Sequence, residues 1–334
     1  MSQTISVISG DGIGPEIMKA GLRVLDALDC GLEYEFVEAG LTALEAHGDL
    51  LPEVTLESIR RNRVALKGPL TTPVGMGFRS INVTLRETFD LYANVRPVVS
   101  IPGTRARFDD VDIITVRENT EGAYLAAEAK TSDCGTSAES KIVITRKGSE
   151  RVARYAFDLA RVEGRKKVTL VHKANILKTV SGLFLEVARE VAADYPDIEC
   201  DEMIVDATCM KLVMDPHQFD VIVTTNLFGD IISDLCAGLV GGLGLAPGAN
   251  IGKEAAIFEA VHGSAPDIAG RKIANPCALL LAAAQMLTHL DMAERAERLR
   301  KAIAETISAG DRTTPDLGGE GNTDQFADAI IERL

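Results

Sequence analysis

The chain reads as an α/β protein in which short strands alternate with helices and much of the sheet is parallel. Three observations predict this. Apolar runs rich in β-branched residues recur at 4–9, 167–171 and 221–224. Longer stretches with apolar residues at helical spacing lie between them, as at 149–162 and 179–193. Turn-forming residues separate the two kinds of element, the pattern of a parallel sheet covered by helices.

In order, 4–9 is expected as a strand and 14–28 as a helix, with Pro15 in its first turn. The intervening Gly10-Asp11-Gly12-Ile13-Gly14 lacks the GxGxxG spacing of a dinucleotide fingerprint, so it reads as a tight turn near a ligand, not a Rossmann motif. A strand at 33–38, a helix at 54–61 and a strand at 63–67 follow. A glycine-rich loop at 75–79 leads into a helix beginning at Ser80, then an extended run at 91–98 and a strand at 111–117. Polar Lys130–Ser140 interrupts the alternation and, with a strand at 141–145, reads as a hairpin arm. Helix 149–162, strand 167–171, helix 179–193, strand 199–205 and a helix from Asp206 come next. Strand 221–224 runs into a helix carrying Ile231, Ile232, Leu235 and Leu239. Strand 256–259, a small-residue loop at 262–270 and helices at 276–290, 293–308 and 323–333 complete the chain.

With 334 residues the expectation is two closely joined domains or one large one. The 49 acidic residues outnumber the 35 basic ones, a net charge of −14 that argues against a nucleic-acid partner. No apolar run has membrane-spanning length, and the N-terminus lacks signal-peptide features. Six scattered cysteines, without a CxxC pair, read as reduced thiols of a cytoplasmic protein and not as a zinc site.

Asp230 and Asp234, four apart, share one face at the expected start of their helix, about 6 Å from each other. They read either as first-turn acids favoured by the helix dipole or as ligands of Mg²⁺ or Mn²⁺, which take carboxylate oxygens. They follow the carboxyl end of a buried strand, where open α/β sheets keep their sites. Asp206, at another strand end, is a candidate third ligand. Arg86, Arg96 and Arg117 lie at element ends and fit a polyanionic acid, because guanidinium forks match carboxylates. Each taken singly is as readily a solvated surface residue. Ser80 and Asn82 add neutral hydrogen-bonding groups, or a simple N-cap. Lys173 and Tyr124 are candidates for proton transfer. The loop at 262–270 suits a nucleotide lying across backbone.

Together these residues resemble the isocitrate and isopropylmalate dehydrogenase family over essentially the whole chain. The resemblance rests on GDGIGPE at 10–16, KGPLTTPVG at 67–75, LYANVRP at 91–97, RENTEGAY at 117–124 and HKAN at 172–175. NLFGDIISD at 226–234, GGLGLAPGANIG at 241–252, HGSAPDIAG at 262–270 and Asn275-Pro276 continue it in family order. It implies a two-domain, mixed-sheet fold that is not Rossmann, with a larger domain at 1–98 plus 241–334. The smaller domain, 99–240, would carry the dimer contact and a β clasp arm around 122–146. It further implies a homodimer, with higher oligomers possible, in which Lys173 and Asp206 serve the neighbouring subunit's site.

The resemblance assigns catalysis to Tyr124 and Lys173, and substrate binding to Ser80, Asn82, Arg86, Arg96 and Arg117. It assigns metal binding to Asp206, Asp230 and Asp234. Cofactor contacts would come from Thr72, Asn175, Glu259, His262, Gly263, Ser264, Ala265, Asp267, Ile268 and Asn275. Serine and asparagine at 80 and 82 match the isocitrate enzymes, where they accept the γ-carboxylate. An apolar pocket there would leave that carboxylate unsatisfied. Asp267-Ile268 replaces the Lys-Tyr of NADP-using relatives and favours NAD, since an aspartate accepts a ribose 2′-hydroxyl and repels a 2′-phosphate. Homoisocitrate or 3-isopropylmalate as substrate, and a non-catalytic regulatory subunit, are the competing readings.

Overall fold

The structure is a computed structural model that describes residues 3–72, 79–125 and 129–334. Its strands are β1 (Gln3–Ile8), β2 (Leu32–Val37), β3 (Val64–Lys67), β4 (Ala93–Val99), β5 (Asp112–Glu118) and β6 (Lys130–Thr131). They continue with β7 (Ala138–Glu139), β8 (Lys167–His172), β9 (Glu199–Ile204), β10 (Val221–Thr224), β11 (Pro247–Ile251) and β12 (Ala256–Ala260). The helices are α1 (Gly14–Ala27), α2 (Leu41–His47), α3 (Glu53–Asn62), α4 (Ile81–Thr88), α5 (Arg146–Val162) and α6 (Val180–Ala192). After them come α7 (Val205–Met214), α8 (Asn226–Leu239), α9 (Cys277–His289), α10 (Ala293–Ala309) and α11 (Thr323–Ile331).

Ten strands form one sheet in the order β2-β1-β3-β12-β11-β4-β5-β10-β8-β9. β11 runs antiparallel to both β12 and β4, and β4 antiparallel to β5, while the remaining pairs are parallel. The sheet is therefore mixed. Strands from 3–99 and 247–260 fill one side of it, and strands from 112–224 the other. Helix α9, nearly all apolar and buried, packs on β11 and β12, and α8 covers β5. The largest cluster of buried apolar side chains includes Phe157, Phe184, Phe258 and Phe326. No helix among the described residues is long and apolar enough to cross a membrane.

Most predicted elements are present within a few residues. Helix α5 starts three residues early because the Thr145 hydroxyl caps it, accepting from Gly148 N at 3.0 Å. Two elements were not predicted. The bounds of α2 are set by Gly40 and by Gly48, the latter left-handed at φ +74°. β11 has the weak strand composition Pro-Gly-Ala-Asn-Ile, tolerable because its proline stands first. One prediction fails: 141–145 is not a strand. Two-residue β6 pairs with β7 as a short hairpin, and 141–145 finds no strand partner among the described residues. Val143 O accepts from Gly122 N at 3.0 Å, and Thr145 N and Oγ1 donate to the Glu121 carboxylate at 2.9 and 2.8 Å. The predicted glycine-rich loop at 75–79 lies, except for Arg79, outside the described residues, as do 73–75 of the KGPLTTPVG segment and 126–128 of the arm.

Candidate active site

The GDGIG turn is a brace. Asp11 is buried, and its carboxylate accepts from Leu41 N at 2.9 Å and Thr71 N at 2.7 Å. Gly12, at φ +58°, passes so close to the 262–270 loop that a Cβ would lie 2.0 Å from Ser264 O. This turn fixes two loops and leaves no acid for a ribose.

On the other side of the sheet, β5 delivers Arg117 fully buried beneath α8. Helix and strand approach this closely because residue 229 is glycine; a Cβ there would meet the Arg117 side chain at 2.6 Å. Arg117 Nε and Nη2 donate to Asn226 Oδ1 at 3.1 and 2.7 Å, and Nη1 pairs with Asp230. The Tyr124 hydroxyl donates to the other Asp230 oxygen, and its ring centroid lies 4.9 Å from the Arg117 guanidinium. From β4, Arg96 Nη1 donates to Ser233 Oγ at 2.7 Å and to Asp234 Oδ1 at 3.3 Å, with Asp230 Oδ1 at 3.5 Å. Arg86, on α4, is buried within electrostatic reach of Arg96 and Asp230, and its guanidinium has no hydrogen bond among the described residues. The sequence-predicted arginines, Tyr124, Asp230 and Asp234 thus form one cluster.

One expectation for the two aspartates is corrected. Helix α8 begins at Asn226, so Asp230 and Asp234 lie in its second and third turns, not its first. Helix capping does not account for them.

The electrostatics separate the pair. Burial pushes the Asp230 carboxyl up, but Arg117, the Tyr124 hydroxyl, Arg96 and Arg86 outweigh it and hold the group below its ordinary range. Burial, reinforced by the Asp230 charge and opposed by Arg96, raises Asp234. Burial and the neighbouring Arg86 and Arg96 bring Arg117 down to about 10. Burial also lowers Arg86. Burial and Asp230 raise Tyr124, which favours its protonated, donating form. Three guanidiniums against two carboxylates leave the cluster short of negative charge.

Ser80 caps α4, its hydroxyl accepting from Val83 N at 3.5 Å, and Thr72 Oγ1 accepts from Ile81 N at 3.3 Å. Asn82 Oδ1 is buried and has no hydrogen-bond partner among the described residues. Lys173 ends β8 and Asp206 begins α7, and these two pair with each other. No hydrogen bond or ion pair among the described residues joins them to the arginine cluster, and no three acidic or other metal-binding side chains converge there. Asn175 is exposed on the same segment as Lys173.

A groove of about 510 Å³ runs between the turn at Ile13 and the 262–275 segment. His262, Gly263, Ala265, Ile268, Asn275 and Asp316 line it. Ser264 donates or accepts to Thr71 Oγ1 at 2.6 Å, and its carbonyl accepts from Ile13 N at 2.9 Å. Asn275 Nδ2 donates to Asp316 Oδ2 at 2.9 Å. Burial lowers the His262 imidazole, which keeps it neutral. Asp267 stands exposed at the rim, its carboxylate without a partner among the described residues. Glu259 is buried apart from the groove, with Oε2 2.6 Å from Lys67 Nζ and Oε1 accepting from Asn250 Nδ2 at 2.7 Å. Burial alone would raise Glu259, but Lys67, Arg86 and Asn250 bring it down to about 2.

Sequence reasoning missed Lys67, Asn226, Ser233, Asn250 and Asp316. Lys67 carried a signal, a lysine closing an otherwise apolar strand. Asn226 carried another, four residues before Asp230 on the same helix.

The profile of the isocitrate/isopropylmalate dehydrogenase family matches residues 4–330. The chain is 51% identical over 332 residues to the mitochondrial catalytic subunit 5 of NAD isocitrate dehydrogenase of Arabidopsis thaliana, covering 99% of this chain and 88% of that protein. It is also 51% identical over 330 residues to the 3-isopropylmalate dehydrogenase of Archaeoglobus fulgidus, covering 99% of each. The crystal structure of isocitrate dehydrogenase from Methylococcus capsulatus superposes with a TM-score of 0.95 at 57% identity, covering 99% of both chains. With a fold that is not Rossmann, and with similarity running from end to end, the chain is an enzyme that belongs to the isocitrate/isopropylmalate dehydrogenase family.

Proposed function

We propose that the chain oxidises isocitrate and decarboxylates it to 2-oxoglutarate, using NAD⁺ and Mg²⁺ or Mn²⁺. The observation that carries this reading is the charge balance of the buried cluster. Arg86, Arg96 and Arg117 exceed Asp230 and Asp234 by one positive charge. A divalent ion would bring that excess to three, the charge of a tricarboxylate. The Ser80 hydroxyl, which accepts from Val83 N, still has a proton to donate and suits a polar γ-carboxylate and not an isopropyl group.

The donor set fits a hard cation, since Asp230 and Asp234 offer oxygens four residues apart on one helix face. Asp206 would complete the set from a second chain. Exposed Met210, Val213 and Met214 on α7, with Leu227 and Ile231 on α8, support that assembly as an apolar surface for a second copy beside the site. When bound, the metal supplies Lewis acidity and NAD⁺ accepts the hydride. The chain's own residues do the rest. The arginines grip and orient the carboxylates. Lys173 in its neutral form, or the Asp206 carboxylate beside it, directly or through water, takes the hydroxyl proton as the alcohol is oxidised. The Tyr124 hydroxyl, kept protonated by Asp230, returns a proton to the carbon that carbon dioxide has left. Unpartnered Asp267 accepts the ribose 2′-hydroxyl and repels a 2′-phosphate.

The test is NADH formation from a panel of 2-hydroxy diacids and triacids, with and without chelator. Isocitrate is expected to give the highest kcat/KM, and chelator to abolish turnover. A preference for 3-isopropylmalate, the substrate for which the Archaeoglobus relative is named, would overturn the substrate reading. Asp267→Lys should erase the preference for NAD over NADP, by about tenfold or more; an unchanged ratio would remove the cofactor reading.

A further inference from the structure

One face of the sheet carries a buried polar stripe between the cofactor side and the arginine cluster. In the strand register, Ile257 of β12 lies opposite Asn250 of β11, Asn250 opposite Asn94 of β4, and Asn94 opposite Arg117 of β5. Opposed residues share a face. Asn94, Asn119 and Asn250 are each at least 97% buried. Asn250 Oδ1 accepts from Asn94 Nδ2 at 2.8 Å and from Asn119 Nδ2 at 3.0 Å. Its Nδ2 donates to Glu259 Oε1 at 2.7 Å. One amide therefore ties the Glu259 carboxylate to β4, which carries Arg96, and to the end of β5, which carries Arg117. Lys67, Asn82, Arg86, Asn250 and Glu259 also bound one small cavity beneath α4, so the hub borders the substrate side directly.

We infer that Asn250 is a positioning residue of the active site, holding Glu259 and the arginine-bearing strands in one register through its two-ended amide. An apolar side chain of similar size cannot do this, because the position needs an acceptor at one end and a donor at the other. The kinetic part of the inference rests on the dehydrogenase reading above; its acid-stability part does not.

Two variants test it. Asn250→Leu should lower kcat on the order of 10²-fold while KM for isocitrate changes little. It should also raise the pH at which the protein unfolds in acid, since Glu259 loses a hydrogen bond that favours its charged form. That second readout needs no substrate, so it stands even if the substrate reading fails. Asn250→Asp is isosteric and adds a pH signature. The groups facing it are Glu259 from β12, Lys67 from β3 and Arg86 from α4, with Arg96 and Arg117 further along the stripe. A protonated Asp keeps both an acceptor and a donor, whereas an ionised one sets two carboxylates in contact. Its activity relative to the unmodified enzyme should therefore be highest at low pH and fall as pH rises. A side chain that only fills space would give a ratio flat in pH, and that result overturns the inference, as does an unaltered kcat or acid-unfolding midpoint in Asn250→Leu. If Asn250→Leu does not fold, the Asn250→Asp ratio decides alone.

Discussion

Asp230 and Asp206 are proposed to hold the same ion, and the chain treats them in opposite ways. Asp230 is wedged between Arg117, Tyr124 and Arg96, in a setting that fixes both of its oxygens. Asp206 has a side chain 69% exposed and, among the described residues, a single side-chain partner, Lys173. A buried charge must be compensated by its own chain, because an unpaired ion in the interior is costly. An exposed one need not be, and stays available to another molecule. The half of the site around Asp230 is thus finished within one chain, while the half around Asp206 faces outward, next to exposed apolar residues of α7.

The sharpest way to break this contrast is to neutralise each acid in turn. Asp230→Asn should reduce turnover by more than about 100-fold. It should also destabilise the fold by about 3 kcal/mol, because Arg117 keeps its buried charge without its main counter-ion. Asp206→Asn should damage turnover comparably yet leave Tm unchanged. Equal losses of Tm in the two variants, measured by calorimetry, would show that the division between finished and outward halves is false.

Glu259 extends the argument to pH. Its folded value of about 2 lies below its ordinary 4.5, so its contribution to stability is fully present above about 4.5 and is lost as pH falls toward 2. The shift corresponds to about 3 kcal/mol. Denaturant titrations at pH 6 and pH 3 should show much of that difference in the unmodified protein and little of it in Glu259→Gln. A Glu259→Gln protein with the same acid sensitivity would place the titrating group elsewhere.

Mixing experiments address the outward half. Lys173→Met and Tyr124→Phe chains should each be nearly inactive on their own. If sites are shared, dissociating and reassembling them together restores roughly a quarter of the unmodified activity, from hybrid dimers with one intact site. Recovery no greater than the sum of the separate proteins would assign Lys173 to its own chain's site.

The contrast also explains what the amino-acid sequence disclosed. Charged side chains at element ends are conspicuous in a sequence, and Arg86, Arg96, Arg117, Asp230 and Asp234 do converge. Asn226, Asn250 and Ser233 were missed because neutral polar residues in apolar segments look the same whether they cap a helix or hold a guanidinium; only register and depth tell them apart. β11 was missed because its fit depends on strands at 93–99 and 256–260 supplying partners on both sides, a non-local fact. The strand expected at 141–145 failed for the converse reason. Its apolar alternation is real, but pairing needs a neighbour, and the described part of this chain offers none. Exposed Ile142 and Val143 carry that unmet pattern outward, on the same side of the comparison as Asp206.

The smallest expected effect separates two roles of one hydroxyl. Ser80 Oγ accepts from Val83 N at 3.5 Å, the outer limit of a hydrogen bond, so as a helix cap it contributes little. Ser80→Ala should therefore destabilise the protein by about 0.5 kcal/mol, the low end for loss of a cap. If the hydroxyl also meets the substrate, KM for isocitrate should rise by about tenfold, the worth of one hydrogen bond to a charged group, with kcat little changed. A variant with unaltered KM would leave Ser80 as a cap alone and remove it from recognition of the γ-carboxylate.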